Sequence, residues 1–496
     1  MALTVGVSSA VRLYFALTAS IYPDEFGTLL ILAKRPLEDI TAFLLKYEAY
    51  AGSYVAHPPL GFLLMSFGYS LVPSHLGPRI ISVTFSIGAI LVVYRIISEL
   101  EYGNPLYPTV LFAFIPHTIV FFSLATTDVY MNFFGMLGFY FCLRAIKSES
   151  MAKSFLAGLM IGLSLWSKGS LSVFWVVLCA VAVILLARRR YLRRLETLGI
   201  ICIVAFLTYL PWYSLNAYAF YSSLEPLQYV ILGALGIKGY RISSLNPVFP
   251  AGTGRSPLIS WMASIFPKLW AGTNTISYVE LLVQLPLWIT PIVSLLLILG
   301  FLNAVRRLNR LNTLLLLWLL IPFLGMLGRF RDVRYLLISG IPICLLTVAG
   351  GSFSGGNLQL RVRSLTLGFI AIFLAMSAPI VQQQYYGVEQ AASEIKGLGL
   401  EDSTILTNCR DVEHYLPNTT LIYIVPNQNS TMIRDIVLAQ GVTAVLILNN
   451  ARGAWPQIDN STREFLVHHF NRHLSNGLSQ FSWFELFYDA SEASRS

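Results

Sequence analysis

Apolar runs close to the thickness of a bilayer recur along most of this chain, and no other feature narrows its fold so far. A stretch of about 20 mainly apolar residues crosses the hydrocarbon as a helix. Within lipid only helices and closed barrels satisfy every backbone polar group. Runs of this kind occupy residues 3–21, 80–97, 107–124, 129–143, 155–167, 170–187, 197–213, 283–304, 311–327, 336–350 and 364–384. Composition agrees: 55% of the 496 residues are hydrophobic and 12% are charged, against about 25% charged in a soluble domain. The pattern predicts an α-helical polytopic membrane protein with about 11 transmembrane helices. A further piece, Pro59–Val72, is short for a span and opens on Pro-Pro, so it reads as an interfacial or re-entrant helix. No cleavable signal peptide is expected, because residues 1–21 lead into an acidic loop without a small-residue cleavage site.

Charge placement then orients the spans. The formal net charge is +9, and much of the excess lies in short clusters between apolar runs. These are Arg144, Lys147 and Lys153; Arg188 to Arg194; Arg306, Arg307 and Arg310; and Arg361 with Arg363. Basic clusters in short loops mark the cytoplasmic side, so the charge is not a nucleic-acid signal. With Pro59–Val72 taken as re-entrant, counting spans from those turns gives a cytoplasmic N-terminus and an extracytoplasmic C-terminus. If Pro59–Val72 is re-entrant, Asp24, Glu25, His57, Asp128, Lys168, the aromatic-rich loop 214–280 and Arg329–Tyr335 all fall on the outer face. If it crosses, Asp24 and Asp128 end on opposite faces. Cys142, Cys179, Cys202, Cys344 and Cys409 are scattered, with no metal-binding or disulfide spacing.

Beyond about residue 384 the pattern changes. Residues 404–407, 420–425 and 442–448 read as strands, and 390–396, 432–439 and 463–473 as helices. Alternating strands and helices predict a small α/β domain. The expected division is a transmembrane domain, 1–384, and an extracytoplasmic domain, 385–496. The N-x-S/T triplets at Asn418, Asn429 and Asn460 all lie in the latter, as an outside location would allow.

Several short motifs occur in order: Asp24-Glu25 after the first run, His57-Pro-Pro-Leu, Arg79 heading the next span, T-D-x-x-x-x-F-F around Asp128, Ser167-Lys-Gly, Leu210-Pro-Trp-Tyr and Arg334-Tyr335. The series resembles the GT-C glycosyltransferases, in particular the branch of protein O-mannosyltransferases and aminoarabinose transferases. It covers about residues 1–350 and not the tail. Many relatives carry Lys before Pro-Pro where this chain has His57. The W-W-D-Y-G signature of oligosaccharyltransferases is absent, and so is a D-x-D in the first loop, which argues against transfer of a preassembled oligosaccharide.

The resemblance implies transfer of a sugar from a polyprenyl or dolichyl phosphate to a protein, lipid or glycan acceptor on the outer face. The residue types suit that chemistry. The attacking hydroxyl must lose a proton, and a positioned carboxylate is worth roughly 10²–10⁴-fold. By family position Asp24 is the base, Glu25 orients sugar or acceptor, and Asp128 completes the catalytic carboxylates. The leaving lipid phosphate needs fixed cations, and guanidinium offers a bidentate fork. Arg334 with Tyr335, Lys168, Arg329, Arg331, His57 and Arg79 are the candidates for donor phosphate and substrate. Plainer roles stay open: Asp128 could favour a helix N-terminus, Lys168 could snorkel, Arg334-Tyr335 could anchor a span, and Arg12 could pair with Asp24. No nucleotide-binding G-x-G or P-loop is read ahead of a helix, so no soluble nucleotide donor is expected. No metal or other cofactor is indicated, although some GT-C branches use divalent ions. The alternative function is a transporter or flippase of a lipid-linked sugar, but no repeated half of the kind common in transporters is evident.

Overall fold

The computed structural model describes residues 1–18, 58–187, 191–215, 289–325, 333–351, 364–368, 370–371, 390–408, 412, 416, 418–424, 430–450, 458–479 and 482–489. The chain divides into two compact units, one built from Met1–Leu17 and Leu32–Ala375, the other mainly from Met376–Ser496.

The first unit is helical. Its helices are Ala2–Thr18, Pro59–Leu71, Leu76–Leu100, Leu106–Phe114, Pro116–Ser123, Thr127–Ser148, Met151–Ser167, Gly169–Leu186, Tyr191–Leu215, Pro291–Arg306, Arg310–Gly325 and Gly340–Gly351, with a 3₁₀ helix at Val333–Ser339. Most coincide with the apolar runs. Among the described residues three are long and apolar enough to cross a bilayer: Leu76–Leu100, Thr127–Ser148 and Arg193–Pro211. A bent pair would make a fourth. The other apolar helices have 10–17 residues, so length alone identifies fewer spans than the about 11 expected from sequence.

One run departs from its expected form. Residues 107–124 do not make one rod: Leu106–Phe114 and Pro116–Ser123 meet at 60°. Ile115, held extended at φ −57°, ψ 130° before Pro116, is the break, because a residue preceding proline is pushed out of the α region. Pro116 also has no N–H to give to Phe112 O, and Thr118 Oγ1 donates to that carbonyl instead. Arg12, fully buried, seals the same corner. Its Nη1 donates to Ala113 O at 2.7 Å and to Ser8 Oγ, and its Nε donates to Ser86 Oγ at 2.7 Å. Ser8 Oγ donates to Ala113 O as well, at 3.1 Å. Among the described residues the partners of Arg12 are hydroxyls and carbonyls; Asp24, the carboxylate with which it could pair, lies outside them.

Ion pairs and close contacts fix which helix ends lie together. Arg144 Nη1 meets Glu99 Oε1 at 3.1 Å, and Lys147 Nζ meets Glu101 Oε1 at 2.6 Å. The C-terminal ends of Leu76–Leu100 and Thr127–Ser148 are therefore neighbours, and the bent pair returns the chain between them. Met151–Ser167 packs back along Thr127–Ser148 and also against Tyr191–Leu215. Gly158 and Gly162, four apart, permit the second approach. A Cβ at Gly158 would lie 2.7 Å from Ile201 O, and one at Gly162 2.4 Å from Thr208 Cβ, the small-xxx-small packing common in membranes. Trp166 Nε1 donates to Thr208 O at 2.5 Å. Thr127, Ser167, Gly169 and Thr208 thus share one end of the bundle. Glu99, Arg144 and the first turn of Tyr191–Leu215, with Arg193 and Arg194, lie toward the other.

The second unit holds a five-stranded sheet: β1 Thr404–Thr407, β2 Thr420–Tyr423, β3 Ala444–Asn450, β4 Arg472–Ser479 and β5 Ser482–Tyr488, in the order β2-β1-β3-β5-β4. β1 is parallel to β2 and β3, and β5 is antiparallel to β3 and β4. One face packs Ile405, Leu446, Phe484 and Leu486 on Ala391, Ala392 and Ile395 of the helical segment 390–397. The other packs Leu406, Val445, Ile447 and Phe487 on Ile433 and Val437 of helix Ser430–Ala439 and Leu466 of helix Asn460–His469. This is the α/β character expected, with one correction. The helix expected over 463–473 ends at His469, and Arg472 begins β4. β4 and β5 form an antiparallel pair that is not among the strands expected from sequence.

Candidate active site

Three of the ordered motifs converge at the Thr127 end of the bundle. Asp128 lies in the first turn of helix Thr127–Ser148. Lys168 is the corner between Met151–Ser167 and Gly169–Leu186, at φ −158°, ψ 98°. That extended residue ends one helix and starts the next, so its side chain leaves the corner toward Asp128. Nζ lies 2.8 Å from Oδ1 and 2.9 Å from Oδ2. The two side chains are only 4% and 2% exposed, so this is a buried ion pair. The carboxylate sits at a helix N-terminus, where the dipole favours it, and the ammonium lies at the corner between two helices, held by that carboxylate. The third motif enters through Gly61, four residues after His57, in helix Pro59–Leu71. A Cβ there would fall 2.7 Å from Thr127 Cγ2 and 3.4 Å from Ser167 O. Only a residue without a side chain lets this helix close on the Asp128–Lys168 corner.

The corner is braced from below. Ser164 Oγ donates to Met131 O at 2.8 Å, and Ser172 Oγ lies 2.6 Å from Lys168 O and 2.7 Å from Ser164 O, two carbonyls that share its one proton. Tyr130 and Ser82 hydroxyls lie 3.2 Å apart, tying the Asp128 helix to the start of Leu76–Leu100. Arg79, one turn before Ser82, is fully buried, and its Nη1 donates to Ala16 O at 2.8 Å. It therefore sits at the C-terminal end of helix Ala2–Thr18, where a cation is favoured, just ahead of the first-loop carboxylates in sequence.

Asn132, which carries no motif in the sequence, stands one helical turn from Asp128. Its Nδ2 donates to Asp128 O at 2.8 Å, and among the described residues its buried Oδ1 has no hydrogen-bond partner. The i, i+4 spacing from Asp128 to Asn132 puts both on one helix face and is visible in the sequence.

The structure thus brings Asp128 and Lys168 together and seats Arg79 at the end of the first helix. Asp24, Glu25, His57, Arg329 and Arg331 lie outside the described residues. Arg334 and Tyr335 belong by backbone to the 3₁₀ helix Val333–Ser339, and their side chains lie outside the description. That helix packs against Thr127–Ser148 and Pro116–Ser123, and Trp318 Nε1 donates to Ile338 O at 2.8 Å to hold it. Among the described residues no group of three or more His, Cys, Asp or Glu could hold a metal ion.

This arrangement of helices is similar to that of solved GT-C glycosyltransferases, the class whose motifs the sequence resembles. Within it, residues 56–212 match the family model of the dolichyl-phosphate-mannose-protein mannosyltransferases, a segment spanning the Gly61, Asp128 and Lys168 contacts. ArnT from Cupriavidus metallidurans, in a structure bound to undecaprenyl phosphate, is similar over 98% of this chain and 97% of its own, with a TM-score of 0.56 at 12% identity. The oligosaccharyltransferase AglB from Archaeoglobus fulgidus, in complex with an inhibitory peptide and a dolichol-phosphate, is similar over 90% of this chain and 69% of its own, with a TM-score of 0.54 at 13% identity. The same oligosaccharyltransferase tethered to an acceptor peptide gives a TM-score of 0.53 at 14% identity. At such identities the likeness concerns the fold. No curated protein matches the chain by sequence.

Proposed function

We propose that this protein is a membrane glycosyltransferase that takes a sugar from a polyprenyl or dolichyl phosphate and passes it to a hydroxyl-bearing protein, lipid or glycan acceptor on the outer face. The observation that carries the reading is the dry Asp128–Lys168 pair, set at one bundle end beside the Pro59–Leu71 helix within a GT-C fold. A buried charged pair is costly in a membrane protein and marks a functional site by default. ArnT and AglB, which share the fold, were captured with undecaprenyl phosphate and dolichol-phosphate, and that supports a lipid-phosphate donor here.

In this reading Asp24 takes the proton of the acceptor hydroxyl as it attacks the anomeric carbon, and Glu25 orients sugar or acceptor. The bond from the anomeric carbon to the phosphate oxygen breaks, leaving the lipid phosphate, and the configuration inverts. Lys168, with Arg334, Arg329, Arg331, Arg79, Tyr335 and His57, offsets the charge growing on that phosphate. Asp128 holds Lys168 in place through the ion pair. No metal takes part in this scheme. The remaining features of the reading are about 11 spans, a cytoplasmic N-terminus, residues 1–384 as the membrane domain and residues 385–496 as an extracytoplasmic domain.

The test is transfer by purified protein, supplied with labelled polyprenyl-phosphate sugars and a membrane extract. Asp24→Asn, with folding intact, should lower transfer by about 10²–10⁴-fold. Undiminished transfer removes Asp24 from the role of base. Movement of the sugar lipid across vesicles without release of lipid phosphate would indicate a flippase instead.

A further inference from the structure

Asn132 carries an inference beyond the family motifs, and it rests on the glycosyltransferase reading above. Its residue is 1% exposed, one helical turn from Asp128. The amide is not ambiguous in orientation. One end faces the carbonyl oxygen of Asp128 at 2.8 Å, so that end must be the NH₂ group, because an oxygen there would meet another acceptor. The other end is then the oxygen, and among the described residues it receives no hydrogen bond. A buried acceptor left open is destabilising, and native structures seldom keep one without a purpose. A group that can only accept does not recognise phosphate, which is also an acceptor. It recognises a donor, and sugar hydroxyls are the donors that the proposed substrate supplies.

We propose that Asn132 Oδ1 accepts a hydrogen bond from a hydroxyl of the donor sugar, and so helps choose the sugar while Lys168 and the arginines hold the phosphate. Asn132 is a binding residue in this scheme; it exchanges no proton. Recognition of a lipid-phosphate sugar is thereby divided: cations take the phosphate, and a neutral acceptor near Asp128 takes the sugar.

The experiment compares undecaprenyl phosphate with undecaprenyl-phosphate mannose, glucose and aminoarabinose, binding each to purified full-length protein by calorimetry in detergent. Thermal unfolding is followed in parallel. Wild type should bind at least one of the sugar lipids more tightly than the bare lipid phosphate. Asn132→Leu, which removes the open acceptor, should melt no lower than wild type. It should bind the bare phosphate unchanged and lose about 2–10-fold of the sugar-dependent affinity, the worth of one neutral hydrogen bond. Asn132→Asp, which keeps an acceptor oxygen, should retain more of it than Leu does. Retention of the full sugar-dependent gain by Asn132→Leu overturns the proposal and leaves Oδ1 with a water. Equal losses for bare and sugar-bearing lipids overturn it too, since the effect would then be structural. If wild type itself gains from none of the three sugars, the proposal falls together with the lipid-sugar donor, whereas a gain in wild type that survives in Asn132→Leu removes Asn132 alone.

Discussion

Consider Lys168→Met. The side chain keeps much of its length and loses its charge, which strands the Asp128 carboxylate among buried atoms. In the structure the two groups touch through both carboxylate oxygens, at 2.8 and 2.9 Å, and are 4% and 2% exposed. For an exposed pair the loss would be about 0.2–1 kcal/mol. For a pair this dry, removing one partner costs about 3–5 kcal/mol, because the remaining charge is left uncompensated, whereas replacing both partners is often close to neutral. Asp128→Asn should cost a similar amount, by stranding the ammonium. The double variant Asp128→Asn/Lys168→Met should then be far more stable than the sum of the two losses predicts. The assay is a double-mutant cycle on full-length protein in detergent, with unfolding followed by tryptophan fluorescence against a chemical denaturant. Single-variant effects that add to within about 0.5 kcal/mol would show that the two charges do not depend on each other, and the reasoning about this corner would be wrong. Transfer should be lost in all three variants, including the stable double one.

Four further outcomes follow from other regions of the structure. A Cβ at Gly135 would fall 2.2 Å from Trp175 Nε1, so Gly135→Ala should lower stability by about 1–3 kcal/mol through overpacking, read in the same denaturant titration. Arg12→Leu strips donors from Ala113 O and Ser86 Oγ, and should speed amide exchange at residues 112–119 far more than at 140–148. Arg463 forks Glu485 at 2.7 and 3.0 Å, with Glu485 largely buried; Arg463→Met should therefore open β4 and β5 to exchange. At the start of helix Asn460–His469, Thr462 holds the Asp459 carboxyl below the ordinary carboxylate range, its backbone N–H donating to Oδ1 at 2.7 Å. Its folded value is the lower one, so the stabilisation is present above the unfolded carboxylate range and is lost as pH falls through the folded value. Asp459→Ala should accordingly speed exchange over 460–469 at neutral pH and make progressively less difference as the pH falls through the folded value.

The apolar runs are enough to find nearly every described helix of the first unit, because a span has to be apolar whatever it packs against. What packs against what is less legible. Ile115-Pro116 already forbids a straight rod over 107–124, but the apolar run hides the break, since hydropathy is blind to a missing N–H. Asp128 and Lys168 both stand out in the sequence as site residues, whereas their pairing depends on a helical hairpin that brings residues 40 positions apart into contact. Arg12 stands out in the sequence as a charge within an apolar run, but the carbonyl that it meets at a broken helix does not. In the tail, 404–407 and 444–450 show the β-branched and aliphatic density of buried strands. Residues 472–479, Arg-His-Leu-Ser-Asn-Gly-Leu-Ser, do not. As an edge strand β4 is paired on one side only, by β5, so little in its own sequence announces it. The sequence offers only the i, i+4 spacing of Asn132 from Asp128, which many core amides share; its significance is the unmet acceptor, which only coordinates reveal.

The claim on which the rest depends is that the first-loop carboxylates and the Arg334-Tyr335 dipeptide open into one water-filled site on the outer side. The most direct measurement places single cysteines at Asp24 and Tyr335, one at a time, in a variant whose five native cysteines are replaced, and labels sealed right-side-out vesicles with a membrane-impermeant thiol reagent. Both positions should label from outside, and undecaprenyl phosphate should protect both. Labelling of the two positions from opposite sides, or protection of neither by the lipid phosphate, would contradict the account.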